Sequence, residues 1–402
     1  MPVFAASPGR AVAATLISLA LLAILIACIE PESPANPSPT LSSPLGAQIV
    51  NQSPVPTATT LPDQGGTSVA PLRGIPLPPT PVSLGEGSAR RPTVLTRIGH
   101  VGIEGSAANL SLVGDRIFVA AGQDGVHIVD VSEPAEPSRI GRIEAIADDV
   151  AASSTLLAVL STDSAPHVRV FEIQDIGGPF EPPEVIPPPP VDSQGPANLS
   201  LRAGTLILAG GSASAQFIEI LERPMQVSTI IPMRKAFVRA SVFAGLVFLT
   251  EDTGETLPYV IAIYDLSDSQ RPDKVGEVSL DFANVGSNFA LPANFPLSSV
   301  FNPPYLYVAG GGALTIFDLA DLTKPTRVGL LDSGANTLHV AVEGDKAVVS
   351  NGDVLLVDVS NPAVPRRVAS VNTPGDARMA VIRDGIIYVA DGANGLLIMQ
   401  AQ

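Results

Sequence analysis

The chain has 402 residues, 46% of them hydrophobic, with 39 acidic against 23 basic side chains and a formal net charge of −16. So few Lys and Arg exclude the basic footprint that nucleic-acid binding needs, and the lack of tryptophan with only 4% aromatics argues against base-stacking platforms. A single cysteine excludes an intrachain disulfide and a cysteine-based zinc site.

Residues 11–29 carry no charge and are mostly Ala, Leu and Ile, and Arg10 is the only charged side chain before them. This is the layout of a secretory signal, and the run falls short of the roughly 20 apolar residues of a confident spanning helix. The lone Cys28 sits at its end, after Leu25-Ile26-Ala27. That tetrapeptide resembles a bacterial lipobox. The resemblance implies a signal peptide over residues 1–27, cut before Cys28, and diacylglycerol on the Cys28 thiol. The competing reading is an uncleaved anchor helix with an incidental cysteine. Each buried acyl CH₂ is worth ~0.8 kcal/mol, so two or three chains hold a protein on a membrane where one does not. Residues 28–93 follow as a lipid-anchored linker rich in Pro, Ser, Thr, Ala and Gly, with stretches such as Pro76-Leu77-Pro78-Pro79-Thr80-Pro81. Such a composition cannot offset its ordering entropy and predicts a disordered spacer. The expected location is extracytoplasmic, anchored on the membrane of a bacterial cell envelope.

From residue 94 to 402 short runs of Val, Ile, Leu, Phe and Ala alternate with Gly, Asp, Asn and Pro, which predicts many short strands and no helix. The pattern repeats. Val126-His127-Ile128-Val129-Asp130 recurs as Ile261-Ala262-Ile263-Tyr264-Asp265, as Leu314-Thr315-Ile316-Phe317-Asp318 and as Leu355-Leu356-Val357-Asp358. Diverged copies end at Glu172, Glu219 and Gln400. These marker positions are spaced by 42, 47, 46, 53, 40 and 42 residues, a mean of 45. That is the length of a four-stranded propeller blade. Each unit carries a preceding hairpin with a tight Gly-Asp or Asp-Gly turn, as at Gly114-Asp115, Gly344-Asp345 and Asp384-Gly385, and a Pro-containing turn into a fourth strand. The expected fold is all-β: a seven-bladed β-propeller of four-stranded blades. Its last blade lacks a fourth strand, and Val94-Leu95-Thr96-Arg97-Ile98-Gly99, similar to Arg327-Val328-Gly329 and Lys274-Val275-Gly276, is expected to supply it.

Val126 to Ser132, Leu355 to Pro362 and Leu314 to Pro325 resemble LVIVD repeats. The resemblance covers the chain from about Val94 onward and implies a β-propeller in an extracytoplasmic setting, with no defined activity attached to it.

The repeated Asp130, Asp265, Asp318 and Asp358 end a strand just before a Ser/Asn/Pro turn, where a carboxylate accepts backbone N–H bonds, so they read as turn-fixing groups rather than catalysts. No Ca²⁺ loop, no His spacing of a metal site and no Gly-x-Ser-x-Gly elbow is present, so neither a metal nor a cofactor is expected. Position within the repeat offers more. Residues aligned at the start of the innermost strand are Asn109, Asp148, Asn198, Arg239, Ser298, His339 and, across a one-residue gap, Arg378, a polar ring at one mouth of the channel. A solvated mouth is polar in any case, so the ring has a structural reading as well. The same face carries the turn with Glu251, Asp252 and Glu255 and the long insertion with Asn284, Asn288, Phe289, Asn294 and Phe295. Long loops on a rigid scaffold are where binding resides.

These features favour a non-enzymatic binding module, monomeric, held on a membrane and presenting a propeller face to a protein or glycan of the envelope. The competing class is a lactonase- or hydrolase-like propeller enzyme with its site at the polar mouth. No His–carboxylate constellation at a diagnostic spacing supports it, and fold alone does not choose between the two.

Overall fold

The computed structural model describes residues 93–161, 167–173, 184–186, 197–202, 205–210, 214–219, 226–232, 237–252, 259–268, 271–280, 297–333 and 337–402. All lie in the unit Leu72–Gln402. Cys28, the linker to residue 92, and Glu255, Asn284, Asn288, Phe289, Asn294 and Phe295 fall outside the described residues. Among the described residues every regular element is a strand.

The chain opens with β1 (Leu95–Val101). The next strands are β2 (Asn109–Val113), β3 (Arg116–Ala120), β4 (Val126–Asp130) and β5 (Ser138–Ile143), then β6 (Asp149–Ala152), β7 (Leu156–Ser161), β8 (His167–Glu172) and β9 (Glu184–Ile186). There follow β10 (Ala197–Arg202), β11 (Thr205–Gly210), β12 (Ser214–Glu219) and β13 (Gln226–Pro232), then β14 (Phe237–Phe243), β15 (Leu246–Asp252), β16 (Tyr259–Asp265) and β17 (Asp273–Leu280). The remainder are β18 (Ser298–Asn302), β19 (Tyr305–Gly310), β20 (Ala313–Asp318) and β21 (Thr326–Asp332), then β22 (His339–Glu343), β23 (Lys346–Ser350), β24 (Val354–Asp358) and β25 (Arg366–Val371), and finally β26 (Ala377–Arg383), β27 (Ile386–Asp391) and β28 (Leu396–Ala401). Each set of four forms an antiparallel sheet in sequence order, and β26, β27 and β28 take β1 as their fourth strand. The fold is a β-propeller.

The sequence pattern follows from packing. Each sheet is covered on both faces by its neighbours, so its middle strands read as unbroken apolar runs: β3 and β4 are buried almost throughout. Phe118 and Ile128 pack on Leu157 and Phe171, Phe248 and Ile261 on Phe301 and Val308, and Tyr307 and Ile316 on Val349 and Val357. Val348 and Leu356 meet Ile387 and Leu397, and Tyr388 and Ile398 meet Ile117 and Val119. Fully burying one such side chain is worth ~1.5–3 kcal/mol. Outer strands such as β5 and β25 face solvent and are correspondingly polar.

Turn chemistry agrees with the reading of the repeated aspartates. The backbone N–H groups of Ser132, Ser267 and Ala320 donate to Asp130, Asp265 and Asp318 at 2.8 Å, and that of Ser360 to Asp358 at 3.0 Å. These bonds hold the Asp130 carboxyl below the usual carboxylate range, the Ser132 hydroxyl contributing most. In the last hairpin Asp384 and Gly385 both have positive φ, 54° and 75°, as a two-residue turn that follows the strand twist requires.

One device recurs where the outer strand joins its sheet. The register slips by one residue between Ile128 and Val129, Ile263 and Tyr264, Ile316 and Phe317, and Leu356 and Val357, leaving Ile140, Val275, Val328 and Val368 as bulges. β1 has the same slip at Ile98. A glycine follows four of these five bulges, and the next sheet's Pro-containing turn lies on Gly99, Gly276 and Gly329. A Cβ on Gly276 would run into the Leu322 carbonyl oxygen, on Gly329 into that of Pro362, and on Gly99 into that of Pro134. In β25 the position is Ala369, partly buried. The sheet beside it has β1 as its outer strand, in place of a strand joined to β28 by a Pro-containing turn.

A backbone carbonyl cannot swing aside as a side chain tip can. Gly329→Ala and Gly99→Ala are therefore expected to lower stability by about 1–3 kcal/mol, the range of an overpacked core. Gly102→Ala, with nothing within 4 Å of the new carbon, is the control. Urea midpoints measured on the three variants check this; equal midpoints would remove the steric argument.

Candidate functional site

The innermost strands β2, β6, β10, β14, β18, β22 and β26 are edges, with backbone N–H groups that no fifth strand pairs. Buried N–H groups need acceptors. The pairings Asn109 with Ala120, Asp149 with Leu160, Asn198 with Ala209, Arg239 with Thr250, Ser298 with Ala309, His339 with Ser350 and Met379 with Ala390 put these residues at one equivalent position. From there side chains reach the inner strand of the next sheet. Leu199 N–H donates to Asp149 Oδ2 at 2.8 Å, Ala240 N–H to Asn198 Oδ1 at 3.0 Å, and Val340 N–H to Ser298 Oγ at 3.4 Å. Leu110 N–H points at Met379 Sδ, 3.5 Å away, and His339 is hydrogen-bonded to the Ala380 backbone. One layer down, Ala152 N–H donates to Ser111 Oγ at 3.0 Å. The ring is polar because it clasps neighbouring sheets.

Five of the seven residues expected in this ring occupy it. Asp148 and Arg378 stand one residue earlier, exposed, and Asp149 and Met379 hold the ring positions. Two adjacent aspartates look alike in a sequence, and a bulge between Ala377 and Met379 shifts the last strand. Met379 carries no polar signal in the sequence because thioether sulfur is a weak acceptor on an apolar side chain.

Asp149 is 5% exposed and accepts three bonds, from Leu199 N–H, from Val150 N–H at 2.8 Å and from Asn198 Nδ2 at 2.9 Å. Burial nevertheless pushes its carboxyl up to about 6, against these bonds and the Arg239 charge. Because Asp149 takes Val150 N–H, Asn109 Oδ1 is buried with no partner among the described residues. Burial, aided by the Arg239 charge, pushes His339 down to about 3, so its ring is neutral. Away from the ring, His127 is fully buried, its Nε2 without a partner among the described residues and its Nδ1 3.7 Å from Glu104 Oε2, itself paired with Arg139. Its spacing in the sequence carried no signal of this.

Above the ring a cavity of about 400 Å³ opens, lined by Ser106, Gln123, Asp124, Asp148, Arg378 and the backbone around Gly122. It gathers the turn after β3, the loop before β2 and the starts of β6 and β26. Arg378 Nε donates to Asp376 Oδ2 at 3.2 Å, and Arg142 stands 3.9 Å from Asp124. Glu251 and Asp252 end β15, paired with Val260 and Tyr259; their side chains lie outside the described residues. Among the described residues no three His, Cys, Asp or Glu side chains are grouped as a metal site.

Against family models, residues 104–144, 304–332, 334–373 and 374–399 match the LVIVD repeat. The chain carries LVIVD repeats. They cover the β2–β5 sheet, β19 to β21, the β22–β25 sheet and β26 to β28. The copy at Ile261–Asp265 is not among them, whereas the one ending near Gln400 is. A comparison with curated proteins finds no match to the sequence. Among solved structures, the chain is similar to one from "Crystal Structure of Mitotic Checkpoint Complex", with a TM-score of 0.52, 11% identity, and coverage of 76% of this chain and 93% of that one. It is also similar to the RRP9 WD40 repeats, with a TM-score of 0.54, 11% identity, and coverage of 77% and 97%. At such identity the likeness concerns the fold.

The two buried titrating groups act in opposite directions. His339, lowered to about 3, contributes stability above its ordinary value of 6.5 that is lost as pH falls toward 3. Asp149, raised from 3.8 to about 6, penalises the fold when ionised, and the penalty disappears as pH falls from about 6 to 4. Asp149→Asn keeps an acceptor and removes the titration. Denaturation midpoints at pH 7, 5.5 and 4 should fall more steeply for Asp149→Asn than for the wild type; parallel curves would contradict these assignments.

Proposed function

We propose that the chain is a lipid-anchored, extracytoplasmic β-propeller of seven blades, closed by β1, that presents its mouth to a protein or glycan of the cell envelope. The observation that carries the binding reading is the mouth cavity, which brings Asp148 and Arg378, more than two hundred positions apart in the sequence, to one wall beside Asp124 and Gln123. It opens on the face of the turns between second and third strands, on a scaffold stiffened by packed sheets. The clasping bonds give the ring beneath it a structural task, which moves the weight of the reading from ring to cavity.

Closure by β1 is supported by its pairing with β28 from Leu95 with Ala401 to Val101 with Leu396. It is supported again by Gly99, which bears the same relation to Pro134 as Gly276 to Leu322 and Gly329 to Pro362. Anchoring rests on Cys28 and the apolar run before it.

Cross-linking of the full chain in cells, followed by recovery of attached envelope components, tests the binding reading. Asp148→Arg combined with Arg378→Glu is expected to abolish capture without moving the melting temperature, since both side chains are exposed; undiminished capture would locate binding elsewhere. Deleting residues 284–295 in parallel reports on the long loop. For the anchor, Cys28→Ser is expected to move the protein from the membrane to the soluble fraction, and retention there would mean a spanning helix.

A further inference from the structure

Arg239 occupies a ring position from which Asp149, Asn198, Ser298 and Met379 accept hydrogen bonds, and a guanidinium has no acceptor to offer. The seam it faces is held differently, by a bond of 3.1 Å between the Ser241 and Ser299 hydroxyls. Its side chain is thereby released from clasping. The guanidinium acts electrostatically on Asp149 of β6 and on His339 of β22. Neither strand is a neighbour of β14: β10 stands between on one side and β18 on the other. A side chain within range of both projects into the channel itself. Two residues along the inner strands stand Ser111, Ser200, Ser241 and Ala341, small and reached by solvent, with Val300 and Val381 in the same layer.

The Asp149 carboxylate is an incomplete counter-ion. Its oxygens are engaged by the Leu199, Val150 and Asn198 donors, and no carboxylate among the described residues stands within 4 Å of Arg239. Neutral His339 adds no competing charge. The guanidinium thus keeps a fixed fork of donors in a partly desolvated bore, a setting in which bidentate recognition of an oxyanion is strong.

We propose that the central channel is a binding site for a small oxyanion, a sulfate-like inorganic anion or a carboxylate, held on Arg239 between Asp149 and His339. The inference goes beyond partner capture at the mouth and stands or falls independently of it. Among the described residues the charged and titratable groups facing the site are Arg239, Asp149 and His339. Proton uptake by Asp149 removes the one negative charge that opposes the guest, so binding strengthens on acidification.

Titration calorimetry of the full chain with sodium sulfate, at constant ionic strength, tests this; sulfate keeps its charge from pH 7.5 to 5. Saturable binding is expected in the wild type, tighter at pH 5 than at 7.5. Arg239→Gln is expected to weaken it about tenfold or more, the size of a lost charge-assisted bond. Arg239→Lys, which keeps the charge, retains part of it and guards against a folding defect. Asp149→Asn should tighten binding at pH 7.5 and flatten the pH dependence. A second titration with sodium acetate separates the sources: acetate binding that depends on Arg239 assigns the site to carboxylates. No saturable response to either anion in the wild type, or an Arg239→Gln variant that binds as well, would overturn the proposal.

Discussion

A four-stranded sheet standing on edge beside a channel has one backbone edge that cannot be paired by another strand. The rest of this molecule depends on how that edge is satisfied. The solution is local: near the start of four of the inner strands a side chain reaches sideways and accepts an N–H of the next sheet. Asp149, Asn198 and Ser298 do this with oxygen and Met379 with sulfur. Any short acceptor serves, so the position is chemically free while the geometry is constant. One structural task is met by four residue types, and the ring therefore looks like an assembled site in a sequence.

The outer edge obeys the opposite rule. At three of its bulges the constraint is steric and admits only glycine, whereas β13 and β25 carry Thr229 and Ala369 at the equivalent place. The bulge at Ile98, Val275 or Val328 turns the outer strand so that the next sheet's Pro-containing turn comes down on the backbone, and only glycine leaves space for its carbonyl. The inner edge tolerates diversity because hydrogen bonds to side chains can be remade with other atoms. At Gly99, Gly276 and Gly329 the outer edge does not, because a methyl group cannot be accommodated inside a carbonyl oxygen.

This contrast explains what could be read from the residues alone. The spacing of Asp130, Asp265, Asp318 and Asp358 exposed the repeat, and their bonds to backbone N–H groups two residues on are the turns that a Ser/Asn/Pro context implies. The likeness of Ile98-Gly99 to Val328-Gly329 pointed to the strand that pairs with β28, because it records a steric demand. The ring was harder. Polarity alone ranks Asp148 with Asp149, discards Met379, and cannot register a bulge that displaces Arg378 by one place. The cavity was beyond reach, since its walls come from segments as distant as Ser106 and Arg378 and its lining is mostly small residues without a motif. The burial of His127, placed where other copies carry Ala262, Thr315 or Leu355, is a property of tertiary packing that its own position in the repeat does not record.

Arg239 brings the two levels together. A ring that tolerates any acceptor can lose one clasp where another bond, here between Ser241 and Ser299, holds the same seam. The released position then accepts a residue that cannot clasp at all. An arginine there carries the cost of partial burial, visible in the lowering of its own proton affinity, with only a preoccupied Asp149 to offset it. Had the position been needed only for cohesion, an Asn or Ser, as at its neighbours Asn198 and Ser298, would have met the demand with no charge to desolvate. The diversity that the inner edge permits is what allows a propeller channel to acquire a charged group without loosening the sheets around it.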